Sequence, residues 1–164
     1  MLTSITAMRR FAALAALATA LALTACGSGS SSNAPDACLQ GPSMYLDALE
    51  AAPSPVRLDR SVAISDCLTE GQDAGELAVV GRSFVAASTK LNAEGRRSPA
   101  GPAPVELGYL VAAVAKGAED TGGIHEDLVR RVESAARFSP GGKEQSEDFK
   151  RGFGRGYAAG QQSG

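Results

Sequence analysis

Phe149-Lys150-Arg151-Gly152-Phe153-Gly154-Arg155-Gly156-Tyr157-Ala158-Ala159-Gly160 is the stretch that decides the fold. Rings recur every four residues at Phe149, Phe153 and Tyr157, and glycines recur at the same interval at Gly152, Gly156 and Gly160. A four-residue step turns an α-helix through about 400°, so each set forms a slowly drifting stripe. One stripe supplies rings to a core. Its neighbour has no side chains, so the backbone of another helix can lie against it. Glu144, Glu147 and Asp148 come early and Lys150, Arg151 and Arg155 come late, the order the helix dipole favours. Such a charged helix does not belong in a bilayer, where small-residue spacing is also common. The glycine stripe is therefore expected to pack against the third helix of the same domain, with a self-association face as the alternative.

Reading back towards the N-terminus gives the rest of the bundle. The turn Thr121-Gly122-Gly123 precedes a fourth helix opened by Ile124, with Leu128, Val132 and Ala135 or Ala136 inward and Pro140-Gly141-Gly142 at its end. A third helix is predicted over 105–118, where Leu107, Leu110, Val111, Val114 and Ala118 form one stripe. Gly108 and Gly117 each cost that helix ~1 kcal/mol against Ala, and are expected where another backbone approaches closely. The longest helix is predicted over 72–94. Its stripe is Leu77, Val80, Gly81, Phe84, Val85, Ser88 and Leu91, and Gly95 is read as its stop. Between these two helices, 96–104 reads as an exposed linker rich in Pro, Gly and Ala. A short first helix over 44–51 is expected, capped by Ser43 and stopped by Pro53 and Pro55, and 56–64 follows as an extended connector or small hairpin. The expected fold class is all-α: a compact bundle of four or five short helices behind a flexible N-terminal tether.

The chain has 164 residues, with 16 Lys+Arg, 18 Asp+Glu, 5% aromatics and no tryptophan. That length suits one domain, expected over 36–164. The charges are interspersed, and no basic run points to nucleic acid.

In front of the bundle, Arg9-Arg10 precedes an apolar run over 11–23 and then Thr24-Ala25-Cys26. A basic start, a short apolar stretch and small residues before a cut site describe a secretory signal peptide over 1–25. The run is about two thirds of the ~20 residues that a spanning helix needs. Leu23-Thr24-Ala25-Cys26 resembles the lipobox of bacterial lipoproteins, and the Ala-, Gly- and Arg-rich composition suits a high-GC bacterium. The resemblance implies that the Cys26 thiol is diacylated and that the leader is cut just before it. Cys26 then anchors the mature chain to the cell membrane on its extracytoplasmic face. The arginine pair fits the twin-arginine export motif only loosely, so the general secretory route is expected. Losing the leader removes Arg9 and Arg10 and no acid, leaving 14 basic and 18 acidic residues, a formal charge of −4. Such a domain is not drawn to anionic lipid by its charge. Residues 26–35 follow as a Gly/Ser-rich lipidated tether.

With Cys26 assigned to lipid, Cys38 and Cys67 remain as an even pair in an oxidising compartment, and a disulfide between them is the simplest account. It would close a loop of about thirty residues, worth roughly 3–4 kcal/mol in the chain-entropy treatment.

Chemistry-bearing constellations are few. His125 is the sole histidine. The surrounding Ile124-His125-Glu126-Asp127 superficially resembles the phospho-acceptor box of sensor kinases, but the chain has none of the Gly-rich nucleotide-binding boxes such a kinase needs. A zinc site needs three or four ligands, and adjacent Glu126 and Asp127 point to different sides of a helix. These residues are read as a helix start, with carboxylates over its positive end. Ser88-Thr89-Lys90 has the wrong spacing for a Ser-x-x-Lys nucleophile, and no Gly-x-Ser-x-Gly elbow, phosphate loop or haem-attachment motif occurs. No catalytic residue, metal or cofactor is therefore expected. The expected function is a membrane-anchored, non-enzymatic module that binds an envelope protein or component. The alternative is an accessory enzyme of envelope metabolism using carboxylates such as Glu126 or Asp127.

Overall fold

A computed structural model describes residues 33–164. The leader over 1–25, Cys26 and the Gly/Ser run over 27–32 lie outside the described residues. Those described form an all-α bundle of five helices: α1 (Pro42–Leu49), α2 (Ala74–Arg97), α3 (Ala103–Asp120), α4 (Glu126–Arg137) and α5 (Glu147–Ser163). A 3-10 turn at Asp36–Leu39 precedes α1, and others at Ser65–Cys67 and Pro140–Gly142 lie between α1 and α2 and between α4 and α5. Among the described residues the connector over 56–64 forms only one isolated antiparallel bridge, Leu58 to Val62, around a tip where Asp59 and Arg60 have positive φ.

Helix α3 is the axis of the bundle. Every residue from position 103 to 114 is buried, as expected of a helix that is apolar nearly all round. Helix α5 runs parallel to it in the closest contact of the fold. A Cβ at Gly108 would overlap the carbonyl of Phe153 and lie 2.8 Å from the Tyr157 nitrogen. Reciprocally, a Cβ at Gly156 would overlap the carbonyl of Val105, and one at Gly160 would sit 2.5 Å from the Tyr109 oxygen. The glycine stripe thus packs within the domain, against the third helix. At Gly117 a Cβ would fall 2.6 Å from the carbonyl oxygen of Ser65, the second close approach expected.

The ring stripe is only partly core. Phe149 is buried, whereas Phe153 and Tyr157 are half-buried and stack on each other at 6.1 Å. The 40° drift at each four-residue step explains this: Phe149 faces α2 and α3, and each later ring turns further out.

Three local expectations are corrected. Gly95 does not stop α2, which continues to Arg97; Gly95 is buried, and a Cβ there would lie 2.7 Å from Cε2 of Phe149 and 3.1 Å from Cγ of Pro104. The linker over 96–104 shrinks accordingly to 98–102. In α1, Ser43 is inside the helix rather than its cap, because Pro42 takes the first turn, where a missing N–H costs nothing. Ile124 does not open α4. It lies in the preceding turn and is 60% exposed.

At the N-terminal side, Cys38 and Cys67 form a disulfide with Cα atoms 5.6 Å apart, and both residues are fully buried. The Tyr45 hydroxyl donates to the Cys38 carbonyl at 2.7 Å, and its ring meets Phe84 edge-on at 5.0 Å. Burial pushes the Tyr45 phenol well above its ordinary pKa. Tyr109 ties the connector to the far helix. Its hydroxyl accepts from the Val56 N–H at 3.0 Å and donates to Ser163 Oγ, whose own proton goes to the Ala159 carbonyl.

Candidate functional site

The Ile124–Asp127 cluster is a helix start. His125 is buried and holds the turn that precedes α4. The Thr121 hydroxyl gives its proton to the Gly117 or Ala118 carbonyl, at 3.1 and 3.0 Å, so it accepts from His125 Nδ1–H at 2.8 Å. Burial lowers the imidazole's pKa, favouring the neutral ring. Glu126 and Asp127 stand in the first turn of α4, over the positive end of its dipole, and both bind the guanidinium of Arg130, Glu126 at 3.4 Å. Their side chains are 69% and 90% exposed. Both carboxylates are therefore largely solvated, and Asp127 lines one shallow groove together with the buried His125. Among the described residues, no group of three His, Cys, Asp or Glu side chains is placed to hold a metal ion.

One hollow lies between the end of α2 and the start of α5, lined by Arg96, Pro99, Lys143 and Phe149, but helix α4 borders most of the concave surfaces. Only Leu128, Val132 and Ala136 of its side chains are buried, a narrow stripe against α2 and α3. A helix seated on so thin a stripe leaves a groove along each flank. On one flank a cleft of about 210 Å³ opens between α4 and α5, floored by Val111 and walled by Ala136 and the stacked Phe153 and Tyr157. The Glu133–Arg137 ion pair, 2.9 Å, stands on its α4 side. Beyond Tyr157 this cleft continues over Ala115, Ala118 and Val129, where Glu119, Glu126, Arg130 and Glu133 line it as well. On the other flank, a groove between α2 and α4 is lined by Leu77, Gly81, Val85, Leu128, Arg131 and Ala135. Ile124 stands at one end and Phe138 at the other, 60% and 63% exposed.

Two α2 residues that the sequence reading did not single out fix the C-terminal end of α4. Asn92 Nδ2 donates to the Ala135 and Phe138 carbonyls at 3.1 and 2.7 Å. Arg96 donates to the carbonyls of Phe138 and Lys143 at 3.2 and 3.1 Å. Both satisfy carbonyls left over at or just past the helix end. An Asn and an Arg four positions apart on a solvated helix carry no local signal of this role.

Glu106 is the other residue missed. It lies in the first turn of α3, is 8% exposed, and has no hydrogen-bond or ion-pair partner among the described residues. Burial, and then the like charges of Glu94 and Glu50, raise its carboxyl above the ordinary range. Glu106 and Glu94 lie in α3 and α2 and Glu50 just past the end of α1, so the three meet only in the fold.

No protein-family model matches this chain, and neither a curated protein nor a solved structure is similar to it.

Proposed function

We propose that the protein is a lipid-anchored, extracytoplasmic binding module, held on the membrane through acyl chains on Cys26 and engaging an envelope protein along α4. The observation that carries this reading is the buried Cys38–Cys67 disulfide. Such bonds form and persist in the oxidising compartments that a signal peptide leads to. The Leu23-Thr24-Ala25-Cys26 sequence supplies the anchor, and residues 27–33 supply a spacer of Gly, Ser and Asn, shorter than the expected tether because Ala34 is already buried and its N–H donates to Glu76 at 2.8 Å. Binding is favoured over catalysis by the apolar parts of the grooves along α4, Val111, Ala136, Phe153 and Tyr157 on one flank and Leu77, Ile124 and Leu128 on the other. The carboxylates Glu126 and Asp127 stand at the rims of the grooves, largely exposed and tied to Arg130.

Intact-mass analysis of the membrane fraction of cells expressing the full chain tests the anchor. The wild type is expected to lack 1–25 and to carry a diacylglyceryl addition at Cys26. Cys26→Ala is expected to accumulate as an uncleaved or mis-sorted form. A wild-type mature protein with no acyl addition refutes the anchored reading.

A further inference from the structure

We draw no further inference here: the strongest candidate, the shallow groove between α2 and α4 with Ile124 and Phe138 exposed at its ends, has one arginine and one aspartate along its lining, and nothing in the structure shows what covers it.

Discussion

Replacing Gly156 with Ala asks one methyl group to enter the tightest place in the fold. In an isolated helix the change is favourable by about 1 kcal/mol, because Ala loses less conformational freedom than Gly. In the bundle the new Cβ overlaps the Val105 carbonyl and lies 2.9 Å from the Tyr109 nitrogen. These are backbone atoms of a buried helix and cannot rotate away. Helices α3 and α5 must therefore separate, opening the Gly108, Gly152 and Gly160 contacts along with this one. Overpacking of a well-filled site costs about 1–3 kcal/mol, and separation along a whole helix pair belongs at or beyond the upper end. After the propensity gain is subtracted, a net loss of about 2 kcal/mol or more is expected. For a domain of this size that lowers the melting temperature by roughly 5–10 °C. Gly154 is the control, two residues away on the same helix: it is exposed, and its Cβ would meet nothing within 4 Å. Gly154→Ala is expected to raise stability by about 0.5–1 kcal/mol. Urea titrations and thermal melts of both variants measure the two signs. A Gly156→Ala protein as stable as Gly154→Ala would show that the α3–α5 contact does not govern this fold.

Two further outcomes are expected. Reducing the Cys38–Cys67 bridge, which spans 29 residues, should lower stability by about 3–4 kcal/mol; free thiols at both positions in non-reducing peptide mapping of the exported protein would remove the bridge from the account. Glu106→Gln should raise the melting temperature at neutral pH and have little effect near pH ~4, where an ordinary carboxyl is half protonated. The sign follows from the raised folded-state pKa: the protonated acid carries no penalty below the unfolded value, and stability is lost as pH rises through the folded value. An equal shift at both pH values, or a loss at neutral pH, would show that the Glu106 charge is compensated.

Much of the architecture was legible because it rests on short-range periodicity. The Gly152, Gly156 and Gly160 stripe predicted a close helix partner, and Gly108 and Gly117 marked where other backbones come near. Even so, two glycines with the same letter had opposite roles. Gly95 looked like a helix stop because it followed a long apolar stripe and preceded a polar, proline-rich stretch. It is in fact a contact residue beneath Phe149 and Pro104. A terminating glycine and a packing glycine near a helix end differ only in what faces them, which is not a local property. Pro42 and Ser43 illustrate the same limit in the other direction. Both are good helix-start residues, and the chain's entry through Gly41, at φ 89°, decides that Pro42 takes the first position.

The candidate surfaces were harder to read because they are what packing leaves over. Helix α5 spends its inner face on backbone contact with α3, so Phe153 and Tyr157, counted in sequence as core rings, remain as the wall of a cleft. Helix α4 holds on with three buried side chains and two carbonyl caps donated by Asn92 and Arg96. A broader apolar stripe would have closed both flanking grooves and buried Arg131 at a cost that a lone guanidinium could not recover. With the narrow stripe, Ile124, Arg131 and Phe138 stay exposed at two-turn intervals. None of the three forms a motif in sequence: Ile124 and Phe138 flank the helix, and Arg131 sits among other charged residues. Their common alignment exists only because α4 is held parallel to α2 by Leu128 at Gly81 and by Asn92 at the far end. The close helix contacts that stabilise this small, tryptophan-free bundle thus also set which side chains remain to meet a partner.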